Sequence, residues 1–128
     1  MKHLLTKILM MGVFGSLITA QTDVSGVISS NTTWSVSNSP YTVTGNVLVS
    51  SGVTLTIEAG VTVKVDSDKS LHINGELIAQ GTSSNKISFT SSKMSPNAGD
   101  WGNILFNASS IDAAYDNSGN YISGSIIE

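Results

Sequence analysis

From Val53 to Val65 the chain reads Val-Thr-Leu-Thr-Ile-Glu-Ala-Gly-Val-Thr-Val-Lys-Val, an apolar/polar alternation that breaks at one Gly-containing corner and then resumes. A period of two puts alternate side chains on one face of a strand, so this run is strand, corner, strand. Val53, Leu55 and Ile57 make one inward row, with Thr54, Thr56 and Glu58 outward. Past Ala59-Gly60, Val61, Val63 and Val65 point inward, with Thr62 and Lys64 outward. Upstream, Val47 and Val49 stand before Ser50-Ser51-Gly52 and supply the third side of a triangular coil.

The same pieces recur every twenty-odd residues, which is the mark of a solenoid whose repeat is one turn of a coil. Val47 and Val49 map onto Leu71 and Ile73, Leu55 and Ile57 onto Leu77 and Ala79, and Val63 and Val65 onto Ile87 and Phe89. In the other direction, Ile28 maps onto Val49, Trp34 and Val36 onto Leu55 and Ile57, and Tyr41 and Val43 onto Val63 and Val65. Gly, Asn, Ser and Asp interrupt the rows at the corners, where they tolerate turn conformations and bond their own backbone. Ile104 and Phe106 continue the row of Leu71 and Ile73 after a loop insertion near 91–100. A second polar excursion fills 108–124, and Ser125-Ile126-Ile127-Glu128 reads as a strand just begun.

The first twenty residues have a different character. Lys2 and Lys7 precede an apolar run from Ile8 to Ile18, and Thr19-Ala20 offers a cleavage point before Gln21. This is the layout of a secretory signal peptide over 1–20, with an apolar run too short for a comfortable membrane span. Secretion or display at the cell surface, with no stable membrane span once the signal is removed, is the expectation. From Gln21 onward the chain carries four lysines against nine acidic residues and no arginine. Nucleic acid, which is gripped through clustered Lys and Arg, is excluded as a partner on that count, and so is an arginine fork for acidic sugars. With no cysteine, stability has to come from stacked strands instead of disulfides.

The runs Gly45-Asn-Val-Leu-Val, Val53 to Val65, Leu71-His-Ile-Asn-Gly-Glu-Leu-Ile-Ala-Gln-Gly-Thr82 and Lys86-Ile-Ser-Phe-Thr90, followed by Trp101-Gly-Asn-Ile104, resemble the first coils of secreted bacterial right-handed parallel β-helix proteins of the pectate-lyase-like superfamily. The resemblance implies an all-β, three-strand-per-coil solenoid of roughly three to four coils, with 21–44 as a capping coil and 45–128 as the coils proper. It also implies that the chain is the N-terminal part of a longer exported protein, whose open coil end would be prone to self-association.

Candidate chemistry is sparse. Enzymes of this fold use a basic residue beside calcium held by carboxylates, or a cluster of aspartates on one strand face; neither pattern stands in the sequence. Asp66-Ser-Asp68 comes nearest to a Ca²⁺ site, but two carboxylates beside Lys69 fall short of the six or more oxygens that ion takes. His72, between inward Leu71 and Ile73, points outward as a bystander. Trp101, Tyr115 and Tyr121 remain as rings on which a sugar could stack. The expected role is a non-catalytic β-helix module that contacts a polysaccharide or cell-surface glycan or acts in adhesion, without a cofactor. The alternative is the opening coils of a polysaccharide lyase or glycoside hydrolase whose site lies further along.

Overall fold

A computed structural model describes residues 20–128; the signal peptide expected over 1–20 lies, apart from Ala20, outside them. The strands, in chain order, are β1 (Thr22–Ile28), β2 (Thr32–Trp34), β3 (Tyr41–Val49), β4 (Thr54–Ile57), β5 (Thr62–Val65), β6 (Leu71–Ile73), β7 (Glu76–Ala79), β8 (Ser88–Ser91), β9 (Ile104–Phe106), β10 (Ala114–Tyr115), β11 (Tyr121–Ser123) and β12 (Ile126–Ile127). All pair in parallel except β10 and β11, which form an antiparallel hairpin.

The pairings resolve into three stacks around one core. β1 and β3 each bend across a corner and so serve two stacks, the first through their opening residues and the second through their closing ones. The first stack continues through β5 to β8, and the second through β6 to β9. The third runs β2, β4, β7, β12. The chain is thus a parallel β-solenoid, and the alternation that predicts it also decides its inside. Val43, Val49, Leu55, Val63, Val65, Leu71, Ile73, Leu77 and Ala79 are all completely buried, while the residues between them in β4 to β7 stay partly exposed; in β3, Thr42 is buried as well. In the first turn aromatic rings replace the aliphatics. Trp34 and Tyr41 stack with centroids 5.0 Å apart and planes 13° from parallel, and the Tyr41 hydroxyl donates to the Ser35 carbonyl.

Two registers differ from the sequence expectation, each by two residues. Trp34 lies opposite Ile57, whereas the repeat predicts Leu55. Val36 leaves the ladder for a 3-10 turn, Val36–Asn38, and is 52% exposed. The cause is Glu58, whose carboxylate accepts the Val36 N–H at 2.8 Å and turns the chain there. Likewise Phe89, and not Ile87, lies opposite Val63, and Ser91 takes the inward place opposite Val65. Here the turn closed between Thr82 and Asn85 lies in the expected corner, but the chain runs two residues further than the simple repeat allows before it pairs, and the ladder begins with Ser88 opposite Thr62.

Corners are held by side chains that reach across coils. Asn31 Oδ1 accepts the Thr54 N–H, Ser39 Oγ the Thr62 N–H and Asn46 Oδ1 the Ser70 N–H, each at 2.9 Å. Ser70 Oγ then accepts the Asn103 N–H of the following coil, and Asn107 donates its side-chain amide to Asn74. The first four of these contacts each satisfy a backbone N–H that the parallel ladder leaves free. Replacing Asn46 by Ala should therefore leave the Ser70 N–H without its acceptor and cost about 1–2 kcal/mol. Thermal unfolding checks this as a drop of several degrees in Tm.

Candidate functional site

Three groups of residues predicted from the sequence occupy two different corners. Asp66 and Asp68 sit between β5 and β6, where the 92–103 loop lies against them. Asp66 accepts a hydrogen bond from the Ser92 hydroxyl. Asp68 adopts a left-handed φ of 62°, and its N–H donates to the Asp100 carbonyl at 3.2 Å. The Asp100 carboxylate in turn accepts from the Asn97 N–H at 2.8 Å and pairs with Lys93 at 3.2 Å. The Asn97 N–H first, then Ser91 and Lys93, hold Asp100 below its ordinary carboxylate value. These carboxylates close loops, and among the described residues no group of three or more His, Cys, Asp or Glu converges on a point that could hold a metal ion.

Trp101 belongs to this same corner. It is partly buried against the core, next to Gly102, where a Cβ would collide with the Ser70 hydroxyl. Its ring is used in packing the turn that leads into β9.

Tyr115 and Tyr121 are brought together elsewhere, on the excursion between β9 and β12. Sequence alone shows this stretch as polar; in the structure it is a hairpin with a fixed base and a closed tip. At the base, the Ile111 N–H donates to the Gly75 carbonyl and the Ser125 N–H to the Ile111 carbonyl, both at 3.0 Å, and Ser125 Oγ accepts the Leu77 N–H. Gly124, at φ +96°, passes so near the Asp112 carbonyl that a Cβ would collide with it. At the tip, the Asp116 carboxylate accepts from the Ser118 and Asn120 backbone N–H groups, both at 2.8 Å, and from the Asn120 side-chain amide. Those bonds, the Asn120 side chain foremost, keep Asp116 below its ordinary value.

Between base and tip the two rings meet edge to face, with centroids 6.2 Å apart and planes at 71°. The Tyr121 hydroxyl donates to the Gly124 carbonyl at 2.6 Å. Desolvation first, then the charges of Glu76 and Glu128, raise the Tyr121 phenol above its usual value. Glu76 projects from the outer face of β7 in the third stack, and its charge acts on Tyr121. Ile126, which faces outward opposite Ile78, is only 6% exposed on that side. Tyr115 is left 55% exposed, a flat ring steadied by Tyr121. A cleft of about 160 Å³ opens at the hairpin base between Phe106, Ser110, Ile111, Asp112 and Ser125.

One outward row was not singled out from sequence. Val27, Leu48, His72 and Leu105 stand in register along the second stack, so His72 lies within an apolar stripe whose ends, Val27 and Leu105, are exposed. The pattern shows it at Leu48, His72 and Leu105, each of which sits between two apolar neighbours.

Three parallel strands per turn around a single aliphatic core define a β-helix protein. Residues 26–123 match the model of the pectate-lyase like beta helix domain, and the chain belongs to that family. No curated protein and no solved structure matches it.

Proposed function

We propose that this chain is a non-catalytic β-helix module of an exported or cell-surface protein, and that it contacts carbohydrate through the β10–β11 hairpin. The observation that carries the reading is the Tyr115 ring, exposed on one face and fixed from behind by Tyr121, whose hydroxyl is itself tied to Gly124. An aromatic ring held in place offers a large apolar contact area at little entropic cost. Export is supported by the charged and apolar layout of Met1 to Ala20. The non-catalytic part is supported by what the acids do. Asp66 holds Ser92, Asp100 holds Lys93 and Asn97, Asp116 closes its own turn, Glu58 fixes Val36, and Glu76 accepts the Thr54 hydroxyl.

The test is direct binding of soluble polysaccharides to the purified chain by calorimetry or affinity electrophoresis. Tyr115→Ala should weaken binding about tenfold, the equivalent of roughly 1.4 kcal/mol, whereas Tyr115→Phe should retain it. Equal affinities for the wild type and Tyr115→Ala would remove the hairpin from the contact. Release of unsaturated or reducing sugars by the wild type would replace this reading with an enzymatic one.

A further inference from the structure

The charges around Tyr115 narrow the class of sugar. We infer that the hairpin takes a polysaccharide free of carboxylates and turns away uronate polymers, an inference that rests on the hairpin being the sugar contact. From Ile111 to Glu128 the chain carries Asp112, Asp116 and Glu128 and no Lys, Arg or His. Glu76 adds a fourth carboxylate from β7, anchored by the Thr54 hydroxyl at 2.7 Å and near enough to Tyr121, with Glu128, to act on its phenol. Asp112 belongs to the cleft at the hairpin base. The Asp116 carboxylate is surrounded by donors that favour its charged form.

Countercharge lies elsewhere. Lys64 is on β5 in the first stack, and Lys69 and Lys93 are at the corner with Asp66 and Asp100. Lys86 shares a cleft with Glu128 at the coil end, beside Gly81 and Ile87. A uronate polymer brings one negative charge per sugar. At Tyr115 those charges meet the Asp116 carboxylate on the next residue, with Glu76 and Glu128 acting on the Tyr121 ring 6.2 Å away, and charges on this scale of separation are not fully screened when the Debye length is about 8 Å. They also lack the guanidinium fork that would repay them. A neutral pyranose ring meets no such penalty, and an amino-bearing one is attracted.

The experiment compares a neutral glucomannan, chitosan and polygalacturonate on the same purified chain, at ionic strengths of about 0.01 M and 1 M, where the Debye length falls from roughly 30 to 3 Å. Glucomannan should bind with little salt dependence. Chitosan should bind at least as tightly at low salt. Polygalacturonate should bind at least about tenfold more weakly than glucomannan at low salt, with the gap narrowing at high salt. Glu76→Gln combined with Asp112→Asn should raise the ratio of uronate to neutral affinity by roughly two- to threefold per carboxylate removed. Gln keeps an oxygen for the Thr54 hydroxyl, so the variant preserves that contact. Tyr115-dependent binding of polygalacturonate as tight as that of glucomannan at low salt would overturn the charge inference and leave the hairpin reading intact. Binding of none of the three polymers would bring down both.

Discussion

Gly75→Ala should unfold the coil or come close to it. Gly75 makes the corner between β6 and β7, directly above the Ser50–Val53 turn of the preceding coil. A Cβ there would lie under 3.0 Å from the carbonyl oxygens of both Val53 and Ser50. Neither oxygen is free to retreat, because Val53 O accepts the Glu76 N–H at 2.9 Å and Ser50 O accepts the Val53 N–H at 3.0 Å. From above, the Ile111 N–H binds the Gly75 carbonyl and so ties the hairpin base to the same point. Relief of the clash would break the third stack's pairing of β4 with β7, which starts one residue later. The expected cost is on the order of 3–5 kcal/mol, a large part of the 5–15 kcal/mol that stabilises a typical domain. Gly52→Ala is the comparison. Gly52 has φ +79° but nothing within 4 Å of a Cβ, so alanine there should cost only about 1–2 kcal/mol of backbone strain. Urea unfolding of the two variants separates the effects; equal midpoints would show that space at Gly75 is not what the fold requires.

The same corner shows what a sequence of this kind can disclose. Inside and outside are legible because period-two alternation fixes parity, and parity survives any slip by an even number of residues. That is why Val43, Leu55, Val63 and Leu71 all lie inside, as the pattern requires. It is also why the two-residue shifts at Trp34 and Phe89 leave no trace in the pattern. Those shifts are decided at corners, by bonds such as Glu58 to Val36 and Thr82 to Asn85. The corner residues advertise turns, but the partner of Asn46, the Ser70 N–H one coil on, can be named only when the register is known. The site obeys the same division. Tyr115 and Tyr121 are visible as rings in a polar excursion, whereas their edge-to-face contact depends on Gly124 and Ile111 fixing the hairpin base.

Leu55→Asp should leave no folded protein at neutral pH. Leu55 is completely buried, with Thr32 in register below and Leu77 above. Substitution removes a buried aliphatic side chain, which by truncation alone costs about 2–5 kcal/mol. It also places a carboxylate in the aliphatic interior, where the Thr32 hydroxyl in register below already donates to the Ser30 carbonyl, so the folded state must bind a proton to accept it. Burial raises the folded-state pKa of the new carboxyl above its unfolded value, so the penalty is smallest below the unfolded value and grows as the pH rises through and above it. Circular dichroism should therefore show more β structure for the variant near pH 4 than near pH 7, relative to the wild type at each pH. Thr54, outward by pattern, is a poor control, because its hydroxyl donates to Glu76 and an aspartate there would set two carboxylates side by side. Thr33 is outward and exposed in β2, and Thr33→Asp should change stability by no more than about 0.5 kcal/mol. Comparable losses from Leu55→Asp and Thr33→Asp would contradict the inward and outward assignment on which the three stacks depend.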